Sequence, residues 1–534
     1  MSQANAATVK RNATLGLTAV FVTYFAANFY TYGLNVAGPR VAADLNGMAL
    51  FSWSLSIPAL AMAFVTLIFG KLSDMFGRRA ILMVSMIFFL VGGAFTAMSQ
   101  SFVINIVARF IFGLGLGALM PLCFSVIGDL FEPAERARWS GLLAIPAGIT
   151  AFIAPTLTGM ITDNLSWRYF FWLGVPFALI SGVFILWGVP ALSQKATHKI
   201  DYLGSVLLAI ASSTMILGFS WGGTTYPWAS IQVIGLLVIS VVFWGIFISV
   251  EGKAAEPMLD PQVLTNRTFL TAAFAGLISF FGILGIIAYY PLFVQGVQGL
   301  SATVSGQMIT PFSIFMAFMG VPAGLLLAKT KRYKWMYIAG YALLTLMLFA
   351  MSTFTVNTPI WMGVLITGLA GLGIGTIPTI NTLVVQFAVP RRLLGVAIGA
   401  IFFFVMIGQA VAPSVLGAAM NGAYANSLYS ALPTGLTQSA DKATLATLGD
   451  PRVLLDPTAM AALKTSVTKL DNGAALFDQT VAAIRGALES ALRTVFLVGA
   501  ITMAISFLMI LTIPEISMDA LVEDKKPELA HQQG

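Results

Sequence analysis

The residues whose types and spacing could do chemistry are concentrated in one short polar stretch, residues 70–79, between two charge-free apolar runs. Its glycines and charged residues are Gly70, Lys71, Asp74, Gly77, Arg78 and Arg79. Asp74 can accept hydrogen bonds from Arg78, or from a helix N-terminus, which favours a carboxylate. The glycines allow a tight turn and close approach of two helices. The stretch predicts a polar hairpin at a membrane surface.

Arg109 is the second candidate, because it is the one ionisable residue deep inside an apolar run. A charged side chain in a bilayer is costly, so such a residue marks a functional site. The alternative is an arginine anchored on backbone carbonyls near the outer surface. A position some eight residues into its span favours the functional interpretation.

Hydrolytic, redox and nucleotide chemistry find little support in the chain. The two histidines, His198 and His531, lie in a predicted loop and in the tail, and the single cysteine, Cys123, lies mid-span, where core packing is its expected role. No Walker loop or Cys/His cluster is present. The sequence therefore predicts neither an enzyme nor a cofactor or metal site.

The elements that position these residues are membrane-spanning helices. Hydrophobic residues make up 58% of the 534-residue chain, charged residues 9%, and the mean hydropathy is +0.90. The charge-free runs far exceed the ~20 residues needed to cross a bilayer, and spans this apolar are helices. The pattern predicts fourteen spans at 14–37, 49–70, 80–98, 102–127, 139–161, 169–190, 202–221, 229–250, 268–290, 303–328, 335–353, 359–386, 393–418 and 490–513.

Orientation follows from the loop charges. Most of the 28 Lys and Arg residues fall on one side of the membrane if the N-terminus is cytoplasmic. The even number of predicted spans then puts both termini in the cytoplasm. The net charge of +7 mostly reflects the Lys and Arg residues that set this orientation. These residues are scattered through loops and form no continuous stripe, which argues against nucleic-acid binding.

The chain also contains a hidden repeat. Shifted by 258 residues, the run Gly113 to Gly117 falls on 371–375, and Ala154, Pro155 and Gly159 fall on their counterparts at 412, 413 and 417. Shifted by 254, Gly70 and Arg78 fall on Gly324 and Arg332, while Ala328 stands where Asp74 would. Two related halves of six spans are therefore expected, with two spans inserted between them. The small residues predicted to pack helices closely are Gly113, Gly117, Pro155 and Gly159.

The stretch at 70–79 resembles the G-x-L-x-D-x-x-G-R-R pattern of the major facilitator superfamily of secondary transporters. That resemblance implies an all-α membrane fold of two six-helix halves. It also implies that Arg78 pairs with an acidic residue at the end of the fourth span, here Asp129. Together with Asp74, the pair would hold the inner gate closed. The expected gate residues are Gly70, Asp74, Gly77, Arg78, Arg79 and Asp129.

Other stretches, such as Trp167 to Tyr169 and Ile200 to Gly204, resemble the fourteen-span drug-efflux branch. Arg109 matches the arginine of that family's R-x-x-x-G-x-G-x-G motif, which implies a role in coupling or substrate binding. Proton-coupled members usually carry an acidic residue five positions before the N-x-A-x-P element, but here that position is Tyr30. Proton antiport loses support from this departure. Asp44 and Asp129 could titrate, although neither is deep.

The predicted organisation has five parts. They are a cytoplasmic N-terminus at 1–13, a six-helix half at 14–190, two inserted helices with their loops at 191–266, a second six-helix half at 267–513, and a cytoplasmic tail at 514–534. An extracytoplasmic insertion at 419–489 is expected inside the second half. It is interpreted as polar and turn-rich at first, then helical from Asp456 and Pro457. The last span is expected to project outwards as a long helix from Leu476.

The predicted function is export of hydrophobic or amphiphilic compounds, such as drugs or lipids, through a weakly polar central cavity. The substrate-binding candidates are Asn28, Tyr30, Tyr32, Asn35, Tyr289, Gln295, Asn381 and Gln409, besides Arg109. One alternative is an accessory membrane protein that handles lipid or a partner through its outer segment. Another is a facilitator of a small organic anion drawn by Arg109. The expected partners are a small substrate, the lipid bilayer and, as a candidate coupling ion, protons. A monomer in a bacterial inner membrane is expected.

Overall fold

The computed structural model of the chain describes most of its length. The described residues are 3–45, 51–190, 201–223, 226–253, 259–300, 302–433, 448, 454, 457–468 and 473–515. For a few residues inside helices, among them Asn35 and Pro155, the backbone alone is described.

Helices make up nearly all of these residues. In the first half of the chain they are α1 (Gln3–Asp44), α2 (Phe51–Phe76), α3 (Arg78–Met98), α4 (Phe102–Leu130), α5 (Pro133–Leu142), α6 (Ala144–Asn164), α7 (Trp167–Trp172), α8 (Gly174–Gly188), α9 (Tyr202–Trp221) and α10 (Ile231–Glu251). In the second half they are α11 (Pro261–Leu264), α12 (Arg267–Leu284), α13 (Tyr290–Leu292), α14 (Ala302–Phe318), α15 (Gly320–Thr330), α16 (Lys334–Met351), α17 (Ile360–Ala388), α18 (Leu394–Ala431), α19 (Pro457–Val467) and α20 (Gly473–Leu511).

Twelve stretches among the described residues are long and apolar enough to cross a membrane. The apolar part of α9, Leu203–Phe219, is shorter, and α1 is not among the twelve. The all-helical membrane fold is thus confirmed, while the exact number of fourteen spans stays a prediction.

Proline explains why three of the spans are broken into two helices. Pro146, Pro176 and Pro322 each lie four residues after the last residue of a helix, which is Leu142, Trp172 and Phe318 respectively. Because proline has no backbone N–H, it cannot donate to the carbonyl four residues earlier. The helix is therefore interrupted at that point.

The buried apolar residues form two cores. One lies among residues 19–189 and the other among residues 207–513. Each core takes in side chains from the other part of the chain, such as Leu394 in the first and Leu67 in the second. The helices predicted as an insertion, α9 and α10, pack on each other, and α9 also contacts α2 and α18.

The described beginning of the outer segment is more helical than its sequence suggests, while residues 434–447 and 449–453 lie outside the described residues. The region from residue 419 was expected to be turn-rich, but α18 continues without interruption to Ala431. The expectation is wrong for residues 419–431, because Met420, Tyr424 and Leu428 recur at a spacing of four and one face of the extended helix is buried. The helix expected from Pro457 is present as α19. The long last helix is also confirmed, since α20 is 39 residues long, about 58 Å at ~1.5 Å per residue.

The span that begins with α12 is irregular at its far end. Two π-helical segments, Gly285–Tyr289 and Phe293–Val297, flank the short α13, which contains Pro291. Such π turns are rare and are frequently found at functional sites. The candidates Tyr289 and Gln295 each lie in one of them.

Candidate conformational gate and substrate cavity

The polar hairpin folds around Gly77. This residue has φ 90°, in the region that L side chains rarely adopt, and it joins the end of α2 to the start of α3. The turn places Asp74 in the last turn of α2 and Arg78 in the first turn of α3. We call the end of the helix bundle that carries Gly77 the motif end.

Arg78 is buried between two carboxylates. Its Nη2 lies 2.5 Å from Asp74 Oδ1, and its Nε lies 2.7 Å from Asp129 Oδ2. Nη1 donates a hydrogen bond of 2.5 Å to Ser73 Oγ. The side chain of Asp129, in the last turn of α4, is 35% exposed. The contact expected between Arg78 and Asp129 is confirmed, and Arg79 lies beside it, partly exposed.

Asp74 also reaches across the bundle to the start of α18. Its Oδ1 accepts a hydrogen bond of 3.1 Å from Gly395 N, and its Oδ2 accepts one of 2.9 Å from Val396 N. These are first-turn amides, which have no partner inside their own helix. A carboxylate there satisfies the amides and interacts favourably with the positive end of the helix dipole. Asp74 therefore caps a helix of the second half.

Two glycine contacts flank this cap. A Cβ built on Gly70 would lie 2.6 Å from Gly395 O, and a Cβ built on Gly141 would lie 2.9 Å from Gly324 Cα. The two pairs are related by the internal repeat, because residues 70 and 141 shifted by 254 become 324 and 395. The motif end is thus closed by backbone-to-backbone packing at two equivalent places.

Sequence reasoning missed the role of Gly141 and Gly395 at this interface. Neither lies in a recognisable local motif, and their partners are distant in the chain. The internal repeat could have revealed them. Its shift of 254 residues, which places Gly70 on Gly324, also places residue 141 on residue 395.

Arg109 lies in α4, on the other side of the helix bundle from the hairpin. It is 2% exposed. Its Nε and Nη2 have no hydrogen-bond acceptor among the residues that the structure describes. The guanidinium carbon lies 5.8 Å from the ring centroid of Phe171, a cation–π distance. A buried cation held by an aromatic face can attract an anionic or polar group.

The glycines that follow Arg109 pack against α2. A Cβ on Gly113 would lie 2.8 Å from Pro58 O, and Gly117 O accepts a hydrogen bond from Thr66 Oγ1 at 3.0 Å. Gly159 is half-buried in α6. The side chain of Pro155 lies outside the described residues.

The candidates on α1 have different surroundings. Asn28 is buried and donates from Nδ2 to Tyr24 O at 2.8 Å, and Tyr32 is half-buried. The side chain of Asn35 is outside the described part. Tyr30 is fully buried in the first core, where its hydroxyl donates to Phe170 O at 2.8 Å. In this conformation it offers no surface to a substrate, and its role as a substrate-binding residue stays a prediction.

The candidates of the second half lie on α17, α18 and the π-helical segments. Asn381 is buried, and its amide oxygen accepts a hydrogen bond from the hydroxyl of Tyr337. Tyr289 and Gln295 are half-buried, whereas Gln409 is exposed. The four residues thus come from three different parts of the second half.

The two halves diverge along α18. Gly395 lies against α2 at the motif end, and Phe402 contacts Phe124 of α4 with ring centroids 5.7 Å apart. Gln409 lies two turns further on the same helix face, where its side chain is exposed. The surface between the halves is therefore tight at the motif end, and Gln409 is exposed about 21 Å further along the helix.

A model of the Major Facilitator Superfamily matches residues 20–413, and the chain belongs to this family of membrane transporters, which are not enzymes. The multidrug transporter protein MdtP of Bacillus subtilis (strain 168) is 31% identical over 418 residues, which cover 78% of this chain and 76% of the relative.

Two further comparisons agree with this family. An uncharacterized MFS-type transporter of Mycobacterium tuberculosis (strain ATCC 25618 / H37Rv) is 32% identical over 397 residues, 74% of this chain. The match spans 58% of that relative's length. Among solved structures, the proton:xylose symporter XylE has a TM-score of 0.58 at 13% identity, with 97% of this chain and 99% of that chain covered. At that identity the likeness concerns the fold alone.

Proposed function

We propose that the chain is a secondary transporter that exports hydrophobic or amphiphilic compounds by alternating access. Its two halves, with the boundaries expected from sequence, would rock around the surface between them. The motif end would face the cytoplasm, as the loop charges predict, in a bacterial inner membrane. A monomer suffices for this mechanism.

Two features of α18 carry the proposal. Asp74 caps the first turn of this helix, and Gln409, further along the same helix, is exposed. One end of the surface between the halves is closed by hydrogen bonds, an ion-pair cluster and glycine packing. This geometry is what one state of a rocking transporter would require. The names of the relatives, multidrug transporters among them, support the substrate class.

In this mechanism the gate residues Gly70, Asp74, Gly77, Arg78, Arg79 and Asp129 hold the motif end closed. Opening would break the contacts from Asp74 to Gly395 and Val396, because those contacts join different halves. The Asp74–Arg78 pair would persist, since both residues lie in the same hairpin. Gln409, which is exposed, is proposed to contact substrate. Arg109 and Asn28 are buried in this conformation and are proposed to contact substrate only when the halves move.

The experiment is efflux from proteoliposomes loaded with a neutral hydrophobic dye or, in parallel, a cationic dye, with and without an imposed pH gradient. Protein-dependent efflux of the neutral dye is expected. Acceleration by the gradient would identify protons as the coupling ion and place the carrier outside the spans, since no Asp or Glu lies in a predicted span interior. Efflux equal to that of protein-free liposomes for both dyes would contradict the proposal.

The buried guanidinium of Arg109 favours one second candidate, a facilitator of small organic anions. Its Nε and Nη2 lack acceptors in the described structure, so an incoming carboxylate could pair with them. Uptake of a radiolabelled organic anion that ignores imposed ion gradients, with no efflux of either dye, would favour this function.

A further inference from the structure

Gln386 lies near the end of α17, where the second half meets the first. Its side chain is buried, at 3% exposure. Both Nε2 and Oε1 lack a hydrogen-bond partner among the described residues. A Cβ built on Gly128 of α4 would lie 3.7 Å from Gln386 Oε1, and Leu394 packs against the same glycine. Gln386 is therefore an unsatisfied amide at the surface between the halves.

The burial of this amide depends on the closed motif end. Gly128 precedes Asp129, so Gln386 lies beside the cluster that closes the gate. When the halves separate there, water can enter between α4 and α17 and hydrogen-bond the amide. Closure removes that water, and no described residue replaces it as a hydrogen-bond partner. An unsatisfied buried polar group is costly.

The internal repeat shows that the two halves differ at this place. Residue 128 shifted by 258 is residue 386, so Gly128 and Gln386 occupy equivalent positions in the two halves and face each other. A glycine at both positions would leave nothing unsatisfied. Two glutamines could pair with each other. With one glycine and one glutamine, Nε2 and Oε1 of the single side-chain amide find no partner among the described residues.

We propose that Gln386 destabilises the closed motif end and so opposes the stabilisation that Asp74 provides by capping α18. This inference rests on the proposed alternating access. A transporter must pass repeatedly between two states, which requires that neither be much more stable than the other. In this chain the cluster of Asp74, Arg78 and Asp129 favours closure. The unsatisfied amide of Gln386 keeps closure reversible.

The test replaces Gln386 by methionine, which has a similar shape and no strong hydrogen-bonding group. Spin labels at Ala80→Cys and Lys329→Cys, both exposed at the motif end, report the distance between the halves in a Cys123→Ala background. The matched control is Gln298→Met, because Gln298 bonds to Thr358 O within the second half. Thermal melting of the purified protein checks that each variant is folded.

The ratio of closed to open motif end is expected to rise about 10-fold in Gln386→Met and to stay unchanged in Gln298→Met. Combining Gln386→Met with Asp74→Asn should bring the ratio back towards the wild-type value. An unchanged ratio in Gln386→Met, while Asp74→Asn alone shifts it, overturns this inference and leaves alternating access standing. If the labels at 80 and 329 give the same single distance in the wild type and in Asp74→Asn, both this inference and alternating access are overturned.

Discussion

Asp74 and Val396 are 322 residues apart in the chain, yet the carboxylate of the first accepts a 2.9 Å hydrogen bond from the backbone amide of the second. This bond joins the two halves through the first turn of a helix, a position where a negative charge is favourable. It is therefore sensitive to the relative position of the halves, unlike the Asp74–Arg78 pair within one hairpin.

Replacing Asp74 by asparagine should open the motif end. The variant loses the charge that favours the α18 N-terminus and weakens the pairing with Arg78, which destabilises the closed state by about 1–2 kcal/mol. We expect a roughly 10-fold shift towards the open state, measured by the distance between labels at 80 and 329. The control Asp478→Asn removes an exposed carboxylate from α20 and should leave the distance unchanged. An unchanged distance in both variants would show that the cap does not hold the gate.

Gly395→Ala should prevent closure by sterics alone. Its Cβ would lie 2.6 Å from Gly70 O, a distance that cannot form without moving α18 away from α2. We expect efflux of the neutral dye to fall at least 10-fold. Gly422→Ala is the matched control in the same helix, since its Cβ meets nothing within 4 Å. Equal efflux from both variants would mean that the glycine contact is not part of the transport cycle.

Arg109→Gln should reduce transport without lowering the stability of the protein. Burying a charge without hydrogen-bonding acceptors costs free energy, so removing it should leave the melting temperature unchanged or raise it. Transport should nevertheless fall at least 10-fold if Arg109 contacts substrate or couples its movement. The exposed Arg485→Gln should change neither property. A variant that transports normally would assign Arg109 to packing against Phe171.

Tyr30→Phe tests whether the position that usually holds the acidic residue has any role in coupling here. The change removes the hydrogen bond to Phe170 O and should lower stability by about 1 kcal/mol. Since the hydroxyl is buried in the core, efflux and its response to a pH gradient should be unchanged. Loss of the gradient response in a folded Tyr30→Phe protein would refute the structural interpretation of this residue.

The sequence predicted the fold and part of the gate because both leave local signals. Long apolar runs identify membrane helices, and the hairpin motif resembles a family pattern that implies the pairing of Arg78 with Asp129. The capping of α18 could not be read in the same way, since the amides of Gly395 and Val396 are backbone groups whose use depends on tertiary packing. The burial of Tyr30 was missed for a similar reason, because polar residues at helical spacing do not reveal whether a neighbouring helix covers them.

The most direct test of the account is whether the motif end opens during transport. Leu394→Cys, in a Cys123→Ala background, places a thiol where Leu394 is 1% exposed and packs against Gly128. A membrane-impermeant maleimide should label it from the motif-end side only, at a rate that changes when the transported dye is added. Lys329→Cys, already exposed on that side, should label at a constant rate. Absence of labelling at position 394 while dye is transported would contradict alternating access through this end.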